Sequence, residues 1–136
     1  MNLFKLFIVE DDKMFQKMLT YLLKADKECE LHVFSNAKDC LDHLYLEPDI
    51  ISLDYTLPDM NGESLLHTIK EKCPNTEVLI LSGQSDLSTV ASVLELGAYD
   101  YITKDITTKY RFKNTIHRLK ELIRLRRMIR MSSVSI

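Results

Sequence analysis

Five apolar, β-rich runs alternate with amphipathic helical segments along this chain, and few folds admit that alternation. The runs are Leu3–Val9, Leu31–Phe34, Ile50–Leu53 closing on Asp54, Glu77–Leu81 and Tyr99–Thr103. Between them the spacing predicts a helix over Lys13–Lys24, with Met14, Met18, Leu19 and Leu22 on one face. A second is expected from an N-cap at Ser35 to about Glu47, with Ala37, Leu41 and Leu44 inward. A third runs from Gly62 to about Cys73, stopped by Pro74-Asn75, and a fourth from Asp86 to Leu96, closed by Gly97. The last spans about Thr107 to Arg130, before a Ser-rich tail, Met131–Ile136, expected to be frayed. Strand–helix alternation of this kind predicts an α/β fold: a doubly wound, five-stranded parallel sheet with helices on both faces.

Right-handed crossovers bring the ends of the strands to one edge, which is where open α/β sheets bind ligands. The residues arriving there carry chemistry: Glu10, Asp11 and Asp12 after the first run, Asp54 after the third, Ser82 after the fourth and Lys104 after the fifth. The stretch PDIISLDYTLPDMNG, residues 48–62, presents Asp54 between two turn signals, Pro48-Asp49 and Asn61-Gly62. Converging carboxylates repel unless a cation sits among them, and an all-oxygen donor set favours a hard ion such as Mg2+. A carboxylate can be a covalent nucleophile toward a phosphoryl donor, with Mg2+ and the Lys104 ammonium neutralising charge and Ser82 donating a hydrogen bond. Asp12 is read as a helix cap rather than a ligand, and Tyr55 as a rim residue shaping access.

Charge is unevenly placed. Residues 1–103 carry 8 Lys+Arg against 18 Asp+Glu, a net of −10, and residues 104–136 carry 10 against 2, a net of +8. In the last helix Phe112, Ile116, Leu119 and Ile123 form a core-facing stripe, and Leu122, Leu125 and Ile129 a short candidate coiled-coil seam. The basic residues between them raise nucleic-acid binding, but no helix-turn-helix or aromatic platform accompanies them. Three unspaced cysteines, Cys29, Cys40 and Cys73, read as free thiols of a reducing compartment. The scattered His32, His43, His67 and His117 have no ligand spacing. No apolar run approaches the ~20 residues of a membrane span and no signal segment is evident, so a cytoplasmic location is expected.

FIVEDD at 7–12, PDIISLDYTLPDMNG at 48–62, EVLILSG at 77–83 and GAYDYITKD at 97–105 together resemble the receiver domain of bacterial two-component response regulators, the chemotaxis-regulator-like (CheY-like) family. The resemblance implies a (βα)5, flavodoxin-like fold over residues 1–125, followed by a basic helical extension and tail over 126–136. It implies that Asp54 is the phosphoacceptor, supplied by a sensor histidine kinase or phosphotransfer protein, and that the chain is not an enzyme beyond accepting and slowly losing that group. Asp11 is then a direct Mg2+ ligand, Glu10 a ligand through water, and Asp54 and the Thr56 carbonyl complete the protein's share. Ser82 resembles the family's switch hydroxyl, Tyr101 its switch aromatic and Lys104 its lysine. Homodimerisation through the fourth helix, fifth strand and last helix is implied on phosphorylation. GAYDYI and the long last helix are similar to receivers of enhancer-binding transcriptional activators.

The family often has proline after the lysine, commonly in a cis bond; here Asp105 stands there, which leaves the loop's geometry open. Two other readings compete. A haloacid dehalogenase-type phosphohydrolase would need a second acid where Thr56 stands, and a phosphorylation-independent interaction module would not need Asp54, Asp11 and Lys104 together. Nucleotide binding lacks its glycine motifs.

Overall fold

The computed structural model describes residues 3–134. Five parallel strands form one sheet in the order β2-β1-β3-β4-β5: β1 (Phe4–Val9), β2 (Cys29–Phe34), β3 (Ile50–Asp54), β4 (Glu77–Ser82) and β5 (Asp100–Thr103). The helices are α1 (Lys13–Lys24), α2 (Ala37–Asp42), α3 (Gly62–Lys72), α4 (Leu87–Glu95) and α5 (Thr108–Val134). The interiors of β1, β3 and β4 are apolar apart from Lys5 and Ser52, because both of their faces are covered. Phe7, Val9, Ile51, Leu53, Val78 and Ile80 face α2, α3 and α4. Phe4, Leu6, Ile8, Ile50, Leu79, Leu81 and Ile102 face α1 and α5. This is the doubly wound parallel sheet expected from the alternation.

Local chemistry sets the helix bounds. Asp12 caps α1 by accepting from Met14 N and Phe15 N at 2.9 and 3.1 Å. Asn61 caps α3 through Ser64 N at 2.8 Å, and Asp86 caps α4 through Thr89 N at 3.1 Å. Gly97 follows α4 with φ +104°, the left-handed conformation that favours glycine.

Five expectations are corrected. Met14 is 83% exposed; the face of α1 that packs on the sheet buries Leu19 and Leu23, with Phe15, Met18 and Leu22 partly buried beside them. Asn36, not Ser35, caps α2, taking Asp39 N at 2.8 Å. That helix stops at Asp42, followed by a 3-10 turn over Leu44–Leu46 and a left-handed Glu47 at φ 55°. Strand β2 begins at Cys29, two residues before Leu31. The tail expected to fray is helical from Met131 through Val134; residues 135–136 lie outside the described residues.

The charge asymmetry is resolved inside the molecule. Phe112, Ile116, Leu119 and Ile123 bury α5 against the sheet, as its spacing predicts. Beyond them its cations reach acids around the beginnings of the strands. Lys120 Nζ lies 2.7 Å from Asp26 and 2.8 Å from Glu28, Arg126 2.7 Å from Glu77, and Arg127 3.2 Å from Asp49. Burial works against the Asp26 carboxylate, but Lys120 and the Glu28 N–H outweigh it and hold Asp26 below the usual range. Lys120 and Arg124 do the same for Glu28. Depressed carboxyls contribute stability that is present above their unfolded values, about 4, and lost as the pH falls through the folded ones. Lys120→Met is therefore expected to lower the urea midpoint at pH 7, and by less at a pH well below about 4. Equal deficits at both pH values would show that the packing of the lysine stem, not its charge, stabilises the fold.

Candidate active site

The carboxyl edge of the sheet gathers residues from the ends of β1, β3, β4 and β5. Glu10 follows β1 and is 1% exposed; Asp54 ends β3 and is 6% exposed. A carboxylate oxygen from each of Glu10, Asp11 and Asp54 lies within 4.8 Å of the others. Lys104, just past β5, extends back over this group. Its Nζ is 2.8 Å from Glu10 Oε1 and 3.4 Å from Asp54 Oδ2.

Backbone bonds hold the parts in place. Lys104 N donates to the Ser82 carbonyl at 2.7 Å, carrying the β4–β5 pairing to its end. Thr56 N donates to Asp54 Oδ1 at 3.1 Å. The loop after Asp54 closes on itself, with Gly62 N donating to the Tyr55 carbonyl at 2.7 Å. A Cβ at Gly62 would stand 2.8 Å from Tyr55 Cα, so this close approach requires glycine. The same loop sends Asp59 to accept from Ala37 N and Lys38 N at 2.9 and 3.0 Å, tying it to the start of α2.

Two buried acids, Glu10 and Asp54, share one ammonium, and the exposed Asp11 stands beside them, so the cluster is short of positive charge. Burial, with the neighbouring Asp54 carboxylate adding to it, pushes the Glu10 carboxyl up to about 7 against the pull of Lys104. Burial also opposes the charged Lys104, but Glu10 and Asp54 outweigh it and hold the ammonium above the ordinary lysine value. An all-oxygen, underneutralised cluster of two buried acids and one exposed one fits a hard divalent cation.

The predicted residues divide as follows. Glu10, Asp11, Asp54 and Lys104 come together. Thr56 lies beside them on the exposed rim. Ser82 is buried at the end of β4; its Oγ accepts from Gln84 N at 3.1 Å, and among the described residues nothing accepts its proton. Tyr101 is buried in β5, with its hydroxyl donating to the Gln84 carbonyl. Asp12 is a cap, and Tyr55 is a half-buried rim residue whose hydroxyl donates to Glu63 at 3.2 Å. The Lys104–Asp105 bond is trans. Asp105 instead makes the turn that leads into α5: its Oδ1 accepts from Thr107 N at 2.7 Å, and its N–H donates to Thr108 Oγ1 at 2.8 Å. The buried Thr108 hydroxyl in turn donates to the Thr103 carbonyl at 3.0 Å.

Phe15 was not legible as a site residue. Its ring centroid lies 4.3 Å from Lys104 Nζ. The signal that could have found it is the Asp12 cap, which sets the phase of α1 and turns the third helical residue toward the strand ends.

Residues 6–116 match the family described as response regulator receiver domain. The chain belongs to that family. Receiver domains bind Mg2+ at an acidic pocket, and Glu10, Asp11 and Asp54 form such a cluster in this one. The receiver is similar to the DNA-binding transcriptional regulator NtrC of Proteus hauseri, 35% identical over 98 residues. Those residues are 71% of this chain and 20% of NtrC, so the chain spans about a fifth of that relative. Among solved structures it is similar to the BeF3-activated receiver domain of DrrB, from Thermotoga maritima. The identity is 29% and the TM-score 0.80, covering 88% of this chain and 98% of that one. The Mn(2+)-bound form of the response regulator Rcp1 is 25% identical with a TM-score of 0.71, covering 80% of this chain and 86% of that one.

Proposed function

We propose that this receiver accepts a phosphoryl group on Asp54 from a histidine kinase or phosphotransfer protein, in a Mg2+-dependent reaction, and relays its state through the face of α4, β5 and α5. The observation that carries this is the buried Asp54 carboxylate standing 3.4 Å from the Lys104 ammonium within the acidic cluster. An Asp54 oxygen attacks phosphorus; the bond from phosphorus to the donor breaks, and an aspartyl phosphate forms. Glu10, Asp11, Asp54 and the Thr56 carbonyl would hold Mg2+, which supplies positive charge for the phosphoryl oxygens. Lys104 offers those oxygens an ammonium whose N–H groups already point into the site. The Mn(2+) of Rcp1 and the BeF3 of DrrB fit the same reading.

Ser82 has a free O–H at this edge and donates a hydrogen bond from it to a phosphoryl oxygen. Its Oγ also holds Gln84 N, so its movement carries the loop after β4. Tyr101 grips the same residue through the Gln84 carbonyl, linking loop position to the switch face. Dimerisation through that face follows as a population shift between two packings. Lys120, Arg124, Arg126 and Arg127 are engaged by the protein's own carboxylates, which supports protein partners over nucleic acid. The functional boundary at residue 125, a cytoplasmic location and the absence of enzymatic turnover belong to the same proposal; among the described residues no helix is long and apolar enough to cross a membrane.

Intact mass after incubation with acetyl phosphate is expected to rise by one phosphoryl group with Mg2+ and not with EDTA. Borohydride reduction should then mark Asp54, and size-exclusion chromatography of the same sample should show a dimer. No gain under any condition would instead establish a phosphorylation-independent module.

A further inference from the structure

We propose that Phe15 is a positioning residue: its ring face holds the Lys104 ammonium in the orientation from which it serves Asp54. The proposal rests on the phosphoryl-acceptor reading above. A lysine ammonium ends a flexible four-carbon stem, is strongly hydrated, and carries three rotatable donors. Here three groups bound it: Glu10 Oε1 at 2.8 Å, Asp54 Oδ2 at 3.4 Å, and the Phe15 ring centroid at 4.3 Å. The ring lies well inside the ~6 Å over which an aromatic face attracts a cation. Unlike the carboxylates it takes no N–H bond, so it displaces water from one side of the ammonium while leaving the donors to the acids and to an incoming phosphoryl group.

The ring itself is fixed by its neighbours. Asp12 Oδ1 accepts from Phe15 N at 3.1 Å, and Gln16 Nε2 donates to the Glu10 carbonyl at 2.8 Å, so the first turn of α1 is fastened to the end of β1. Phe15 packs at the margin of the core beneath α1 and α5, with Leu19 and Leu23 one and two turns on. The main chain of Lys104 is held separately, by the Ser82 carbonyl at 2.7 Å. Main chain and ammonium are thus anchored on different elements, and α1 supplies the second anchor.

The test compares wild type, Phe15→Leu and Phe15→Tyr. Leucine keeps an apolar side chain without a π face; tyrosine keeps the face. In wild type and Phe15→Tyr the Lys104 ε-methylene protons are expected to resonate upfield under the ring current, and in Phe15→Leu at ordinary shifts. This readout is independent of phosphorylation. The rate of Mg2+-dependent phosphoryl gain from acetyl phosphate should fall roughly three- to tenfold in Phe15→Leu, in line with the size of cation–π attractions, and recover in Phe15→Tyr. In a Lys104→Met background the Phe15→Leu change should have no further effect, because coupled residues are non-additive. Equal loss in both backgrounds, no loss in Phe15→Leu, or an absent ring-current shift in wild type would overturn the proposal. A wild-type protein that gains no phosphoryl group, with the shift present, would overturn the acceptor reading and leave the Phe15–Lys104 contact standing.

Discussion

Asp54→Asn protein is expected to gain no phosphoryl mass from acetyl phosphate under conditions in which wild type is converted stoichiometrically. The amide keeps the shape of the side chain and its acceptor oxygen for Thr56 N, 3.1 Å from Oδ1 in wild type, so the loop after β3 should hold. What it removes is the anionic nucleophile. The neighbouring acids do not substitute for it. Glu10 is 1% exposed and its carboxyl is pushed up to about 7, leaving it short of anionic character at neutral pH. Asp11 is exposed, and the Lys104 ammonium pairs with Glu10 and Asp54 instead. The substitution also removes one negative charge from an underneutralised cluster, so the thermal midpoint should stay level or rise. Residual mass gain in Asp54→Asn, localised to Asp11 or Glu10, would show that the cluster holds more than one competent acceptor.

The site was legible where one residue ends an apolar run. An acid after Leu53 or Val9, or a lysine after Thr103, has only one place to go once the strands are parallel, and the sheet brings Glu10, Asp54 and Lys104 to one edge. Legibility failed where a distant group decides a local outcome. The start of α2 is an example: Asp59, which accepts from Ala37 N and Lys38 N, is 22 residues away from Ala37, and no window around Ser35 contains it. The exposed Met14 and the inward Phe15 differ by one helical position. The cap was read at Asp12 and stands there, but the phase of the first turn against the strand ends is a product of the finished packing. The basic character of α5 was visible only as a composition. Its pairing with acids 94 residues earlier, as for Lys120 and Asp26, is a product of the finished topology. Asp105 was visible as a departure from the family pattern, yet its consequence was not: a trans bond and a side-chain turn onto Thr107 just before α5, with Lys104 still seated in the cluster.

Lys104→Met is expected to slow phosphoryl gain from acetyl phosphate by about 100-fold or more while leaving the protein folded. The rate effect follows from electrostatic preorganisation: removing one donor aimed at developing charge typically costs about 10²–10³ in rate. Lys104 is such a donor, already seated 3.4 Å from the Asp54 carboxylate where the phosphoryl oxygens would arrive. Taking a cation from a buried acidic group would ordinarily be destabilising. Here the cluster has a way to relax, since burial already lifts Glu10 to about 7 and without Lys104 it takes up a proton. Methionine also preserves the unbranched stem against the Phe15 ring. Mg2+ should therefore stabilise Lys104→Met at least as well as wild type in thermal unfolding, although the transfer itself is slow. If the variant instead unfolds near room temperature and Mg2+ does not restore it, Lys104 is chiefly a structural counter-ion for Glu10, its nearer partner at 2.8 Å, and its service to Asp54 is secondary.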